Sequence, residues 1–117
     1  FKAGLIVASR LQWELQTMSN HNQARLAVFA QILREHRSVS SQSQQQRLAV
    51  ALTILGSITT IEARDSLDVM HPSGRIKELR DQGWGIVPTR VRHVADCGTI
   101  HSIANYVLKS LPVGRAA

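Results

Sequence analysis

Hydrophobic and polar positions in the first part of the chain follow the spacing of α-helices. Leu11, Leu15 and Met18 recur at i, i+4 and i+7, which places them on one face of a helix. A polar break at residues 19–22 can cap a second helix over residues 23–37. The hydrophobic positions of this second helix are Leu26, Phe29, Ile32 and Leu33. We expect the two helices to form an antiparallel hairpin that either covers a core or mediates dimerisation or partner docking.

A polar stretch follows at residues 38–46, with four serines and four glutamines around Val39. It is either a linker or the exposed first turn of another helix with a serine cap. We place a domain boundary here, between an N-terminal helical region (residues 1–40) and a second domain (residues 41–117). The second domain opens with a helix rich in Ala, Leu and Val, which Gly56 ends.

Two short helices are predicted next. Thr59 and Glu62 have the spacing of a capping box, in which each side chain bonds the other residue's backbone N–H. This box opens a helix that ends near Leu67. After a short connection, Pro72 stands at a first-turn position of another helix, which continues to Gly83. Two short helices joined by a tight turn form a helix-turn-helix.

Beyond Gly83 the hydrophobic period changes from that of a helix to that of a strand. The alternating hydrophobic positions are Val87, Val91, Ile103 and Val107. A three-residue turn at 96–98, with Gly98 in the left-handed conformation, pairs Val91 with Ile103 across a hairpin. We expect the hydrophobic face to lie on the core, and the opposite face, which carries Arg90 and Arg92, to be free to meet phosphate.

Composition adds a class of partner. The chain has 117 residues, and its 14 basic side chains, 11 of them arginine, exceed its 8 acidic ones, for a net charge of +6. Such an excess suits a polyanion, first of all nucleic acid, although it also occurs on proteins that bind acidic partners or anionic membrane surfaces. No hydrophobic run approaches the ~20 residues of a membrane-spanning helix. A single cysteine excludes an internal disulfide. We expect a soluble, cytoplasmic, nucleoid-associated protein.

The order of a helix, a helix-turn-helix and a two-stranded wing is that of a winged helix. Residues 58–64, 70–80 and 83–84 also resemble the small winged helix-turn-helix proteins of phages and bacterial mobile elements. In that family Thr-Thr-x-Glu-Ala precedes an Arg-Ile-x-Glu-Leu-Arg recognition helix and a Gly-aromatic step, and the resemblance covers about residues 47–108. It implies DNA binding in regulation or in transactions of mobile DNA. Gly74 departs from the alanine that is common in the family.

The third helix of the motif is expected to bury Ile76 and Leu79, so its N-terminal half is free to enter a DNA groove. Within that half, Ser73, Arg75 and Lys77 have the chemistry to read bases or bond phosphate. The predicted DNA-contacting residues are Thr60, His71, Ser73, Gly74, Arg75, Lys77, Arg80, Arg90 and Arg92. The alternative is that these arginines and Lys77 pair with nearby carboxylates or lie on solvated faces.

Catalytic and metal chemistry find little support. His93, Cys97 and His101 are spaced four apart, but a structural zinc site normally needs four ligands and a paired-cysteine motif. No glycine-rich phosphate loop occurs, and the few acidic residues are scattered. We therefore predict no metal, no cofactor and no enzymatic activity.

The sequence thus predicts a mainly α protein with a C-terminal β-hairpin, a winged helix-turn-helix preceded by an N-terminal helical hairpin. Its partner is double-stranded DNA, with the third helix in the major groove and the wing on the backbone, and its N-terminal helices form a homodimer. The alternative is a protein-interaction module whose winged helix or N-terminal helices dock a protein partner. Aromatic residues make up only 4% of the chain, which argues against binding of single strands by base stacking.

Overall fold

The computed structural model describes residues 22–112. Helix α1 occupies residues 22–35 of this range. The elements that follow are α2 (Ser41–Leu55), β1 (Ser57–Thr59), α3 (Thr60–Leu67), α4 (Pro72–Asp81), β2 (Gly85–Val94) and β3 (Ile100–Ser110). The predicted helix around Leu11–Met18 lies outside the described residues. No helix in the described range has the length and hydrophobicity needed to cross a membrane.

Helix α2 begins and ends with caps that satisfy its terminal backbone groups. The Ser40 side chain accepts a hydrogen bond from the backbone N–H of Ser43. At the other end, Gly56 has φ 81° and donates its N–H to the carbonyl of Leu52, a left-handed cap that glycine adopts without steric cost. The serine- and glutamine-rich stretch is therefore largely the opening of a helix, the second of the two interpretations.

The capping box of α3 is confirmed. The Thr59 hydroxyl accepts from the backbone N–H of Glu62 at 3.1 Å, and the Glu62 carboxylate accepts from the backbone N–H of Thr59 at 3.0 Å. Asp68 then ends α3 in the left-handed region. Helix α4 begins with Pro72 in its first turn, as predicted, and His71 gives it no side-chain cap. The helix-turn-helix thus forms with the predicted boundaries.

The three strands form one antiparallel sheet in the order β1-β3-β2. The hairpin register is confirmed, because Val91 lies opposite Ile103. Its turn also forms as predicted, with Gly98 at φ 90°. Strand β1 was not predicted, since three residues are too few to show an alternation. Strand β2 lies at the edge of the sheet. The backbone N–H that Pro88 lacks can therefore be missing on the unpaired side of the strand, where no inter-strand hydrogen bond is lost.

The prediction of which hairpin face lies on the core is wrong. Ile86 and Tyr106 are 4% and 6% exposed, whereas Val87 is 44% exposed. Successive strand residues point to opposite faces, so the even-numbered positions of β2 and β3 face the helices. Arg90 and Arg92 share this inner face, farther along the hairpin, where no core lies beneath them. The hydrophobic outer face remains half exposed.

One core joins the helices to the base of the sheet. Its buried side chains are Phe29, Ile32, Leu48, Ala51, Leu52, Ile58, Ala63, Leu67, Val69, Ile76, Leu79, Ile86 and Tyr106. Helix α1 thus adds two residues to the core of the following elements, and Arg25 of α1 forms an ion pair with Glu62 of α3 at 2.9 Å. The predicted division into domains at residue 41 stays a prediction.

Arg47 on α2 is the largest fully buried side chain, at 1% exposure. Its Nη1 donates to the carbonyls of His36 and Ser38 at 2.6 and 2.8 Å, and its Nε donates to the carbonyl of Leu67 at 2.7 Å. Burial lowers the pKa of the guanidinium from its usual range, and the nearby charge of Asp68 opposes this shift. One side chain thus joins the α1–α2 loop to the end of α3.

We expect Arg47→Met to lower the free energy of unfolding by about 3 kcal/mol or more, because buried carbonyls then lose their donor. Urea denaturation followed by circular dichroism measures this loss. The control is Arg64→Met, which removes an exposed bond to the Met70 carbonyl and is expected to cost about 0.5 kcal/mol or less. Equal losses in the two variants would contradict the assigned role of Arg47.

Candidate nucleic-acid interface

Helix α4 has one buried and one outward face. Pro72, Ile76 and Leu79 are buried against the core. The opposite face carries Lys77 and Asp81, both exposed, at positions that a helical period places away from those three. This outward face is the part of the helix-turn-helix that a DNA groove can receive.

A cleft of about 310 Å³ runs between α4 and the wing. It is lined by Ser73, Ile76, Arg80, Pro88, Thr89, Arg90, Ala104 and Tyr106. Three predicted DNA-contacting residues therefore come together here from two elements: Ser73 and Arg80 from α4, and Arg90 from β2. The cleft exists because the inner face of the hairpin, rather than the outer one, faces the helices.

The cleft carries positive charge without a compensating carboxylate. Arg80 donates its Nε to the carbonyl of Ile86 at 2.8 Å, which holds its guanidinium beside the first residues of β2. Arg90 is exposed and lines the cleft. Within residues 22–112 the ion pairs are those of Arg25 with Glu62 and of Arg75 with Glu78. Neither cleft arginine therefore has an acidic partner in the described part of the chain.

Arg75 has a different environment. Its Nε lies 2.7 Å from Oε1 of Glu78, one turn further along α4. The two atoms are buried but do not form a directed hydrogen bond, so the contact is one of charge. For Arg75 the structure thus shows the carboxylate pairing that the alternative interpretation describes. Lys77 is exposed and forms no ion pair within residues 22–112.

The remaining residues predicted to contact DNA lie around the outward face of α4 and the cleft. The Thr60 hydroxyl donates a hydrogen bond to the carbonyl of Ala104 at 3.3 Å, and this bond joins α3 to the sheet. His71 is exposed just before α4, and Arg92 is exposed two residues beyond Arg90 on the same face of β2. Around Gly74, nothing lies within 4 Å of the position that a Cβ would take. Contact of any of these residues with DNA stays a prediction.

The wing tip brings together two of the residues considered for zinc. His93 and His101 are cross-strand partners, whereas Cys97 lies in the turn with its Sγ 3.3 Å from the Thr99 hydroxyl. Hydrogen bonds with Thr99 lower the pKa of the exposed Cys97 thiol. No group of three side chains suited to a metal ion occurs among residues 22–112.

Two residues of the cleft, Tyr106 and Thr89, were not predicted from the sequence. Tyr106 was hidden by the assignment of the hairpin faces, which treated the even-numbered side as solvent, whereas Thr89 belongs to the odd-numbered side that was assigned to the core. A signal was present in the sequence: Ile86, Tyr106 and Leu108 also alternate and include the only tyrosine of the chain. Large hydrophobic and aromatic residues at the base of a hairpin mark its core side.

The chain belongs to the winged helix-turn-helix domain family, because a family model of that description matches residues 43–110, more than half of the sequence. The match begins within α2 and ends with β3. Comparisons with curated proteins and with solved structures found no match. Family membership confirms the predicted fold and supports a DNA-binding role; this fold is typically not enzymatic.

We expect Gly74→Ala to raise the free energy of unfolding by about 0.5–1 kcal/mol, since alanine favours the helix and the added methyl meets no atom. Gly98→Ala is the matched control, because space is equally open there but φ is 90°, and we expect it to destabilise. Urea denaturation measures both changes. A destabilised Gly74→Ala variant would contradict the helical geometry described for the start of α4.

Proposed function

We propose that this protein binds double-stranded DNA in a sequence-dependent way, as a transcriptional regulator or an accessory factor of a phage or mobile element. Helix α4 lies in the major groove, where Ser73 and Lys77 reach the bases. The inner face of the wing lies on the adjacent backbone through Arg90 and Arg92. Such a protein acts in the bacterial or host cytoplasm, on the nucleoid.

The observation that carries this proposal is a set of cations that form no ion pair within residues 22–112 and that lie beside the outward face of α4. Arg80 and Arg90 line one cleft without a carboxylate, and Arg92 continues the same face of β2. Lys77 lies exposed next to this surface. Several cations next to a helix that fits the major groove favour a polyanion such as DNA as the ligand, rather than a single acidic side chain.

Selection from a random duplex library at two salt concentrations tests the proposal. We expect the unaltered chain to enrich one recurring motif and the Ser73→Ala, Lys77→Ala variant to lose it, because each base-reading side chain contributes about 1–3 kcal/mol of discrimination. An Arg90→Ala, Arg92→Ala variant is expected to keep the motif but bind more weakly. Its log–log salt dependence should become shallower by about 0.9 per lost phosphate contact.

The matched control is Arg34→Ala, Arg37→Ala, which removes two charges from exposed side chains at the end of α1 and just beyond it. We expect this variant to bind like the unaltered chain. Binding that is weak, independent of sequence and equally reduced by every arginine substitution would contradict the proposal and leave only a basic surface.

We also propose that α1 contributes to a homodimer. Leu26, Ala30 and Leu33 recur at i, i+4 and i+7 on the side of α1 next to the one that buries Phe29 and Ile32, and Leu26 is 58% exposed. Exposed hydrophobic stripes of this kind are typical of interaction surfaces. The same stripe supports the alternative function, a module that docks another protein.

We expect Leu26→Glu to convert a dimer of the full chain to a monomer in sedimentation velocity at micromolar concentration, because a carboxylate would be buried in the interface. Met70→Glu is the control, since Met70 is equally exposed at 60% but lies outside α1. A monomeric unaltered chain at these concentrations would contradict the dimer and favour docking of a different protein.

A further inference from the structure

We propose that the cleft between α4 and the wing is a discrete phosphate-binding site in which the Tyr106 hydroxyl donates a hydrogen bond to a phosphate oxygen. The proposal rests on the proposed function for the source of the phosphate, a phosphodiester of the DNA backbone. It adds a residue and a ligand position that neither the sequence motif nor the basic surface indicates.

Charge defines the chemistry of the ligand. Two guanidinium groups, those of Arg80 and Arg90, line the cleft, and none of the eight lining residues is acidic. The Arg80 guanidinium is already oriented, since its Nε is bonded to the Ile86 carbonyl, and its two terminal nitrogens remain for a ligand. Pre-oriented arginine donors favour planar or tetrahedral oxyanions such as phosphate.

Tyr106 supplies the second, independent observation. The residue is 6% exposed, lies on the central strand between Ile58 and Pro88, and lines the cleft. Its hydroxyl forms no hydrogen bond with the rest of residues 22–112. The hydroxyl oxygen is not among the fully buried, unpaired polar atoms of residues 22–112, so it is accessible to solvent. It is therefore free to donate a hydrogen bond to an anion in the cleft that Arg80 and Arg90 also line.

The start of α4 adds donors to the same site. Ser73 is the second residue of the helix and lines the cleft. The backbone N–H groups of the first turn have no intrahelical acceptor, and His71 supplies no cap. These groups and the positive end of the helix dipole favour an anion at the Ser73 end. The cleft thus offers donors from a helix terminus, two guanidinium groups and one phenol.

Because Tyr106 is the only tyrosine, a protein labelled with ¹³C at the tyrosine ring gives one set of ring signals. We expect this signal to shift in a saturable manner when inorganic phosphate is added at constant ionic strength, and not with chloride. A larger shift is expected with duplex DNA. Absence of a specific shift with both phosphate and DNA would overturn the site, whether or not the protein binds DNA.

The second experiment locates the phosphate on DNA. Tyr106→Phe keeps the buried ring and removes only the hydroxyl, and we expect about tenfold weaker DNA binding with an unchanged salt dependence. Arg90→Gln is expected to weaken binding and also make the salt dependence shallower by about 0.9. Ring packing alone would change the unfolding midpoint, so urea denaturation of Tyr106→Phe is measured in parallel.

Methylphosphonates placed one at a time along the selected duplex complete the test. At one backbone position the neutral linkage should weaken binding by Tyr106→Phe less than it weakens binding by the unaltered chain, since the bond to the Tyr106 hydroxyl is lost in both changes and is counted only once. Additive losses at every position, in a protein that still binds the duplex, would overturn the phosphate site alone. If the unaltered chain does not bind duplex DNA at all, the proposed function is overturned instead.

Discussion

The guanidinium of Arg47 is the constraint on which the arrangement of the helices depends. It stands in the middle of α2 and donates to carbonyls of the α1–α2 loop and of the last residue of α3. A buried cation is costly unless its donors are used, so these backbone segments must stay where the donors reach them. That requirement sets α3 against α2, and through the short turn at Val69 it sets the direction in which α4 leaves the core.

The hairpin converts this arrangement into two chemically different surfaces. Strand alternation assigns Arg90 and Arg92 to the inner face and Val87 and Val91 to the outer face. On the inner face the charges lie beyond the core and beside α4, where they keep their hydration and remain available to an anion. The outer face is half exposed and hydrophobic. Charge and hydrophobic area are therefore separated by the thickness of one sheet.

Local signals made most of the fold predictable. The Gly56 cap of α2, the capping box at Thr59 and the hairpin turn at Gly98 depend on residues close together in sequence, and all three were predicted. Strand β1 could not be found in this way, because its identity comes from pairing with residues 105–107 of β3. The buried role of Arg47 was not predicted for a related reason, because nothing in the neighbouring sequence distinguishes a buried arginine from an exposed one.

The side of the hairpin that faces the core could not be predicted from local sequence patterns. Both sides of β2 and β3 carry alternating hydrophobic residues, so periodicity predicts a strand without saying which side is covered. The choice depends on where α4 lies, which is a tertiary property. Tyr106 was missed for this reason, since the residues of the cleft belong to elements that only the folded chain brings together.

The unequal lengths of the strands have a further consequence. β1 supports β3 only at residues 105–107, whereas β2 and β3 remain paired out to Val94 and Ile100. The distal hairpin is thus a two-stranded arm whose length can change without disturbing the core. One added residue per strand would turn the new tip side chains to the opposite face. Homologous wings can therefore lengthen without changing the faces of the tip only in increments of two residues per strand, about 7 Å.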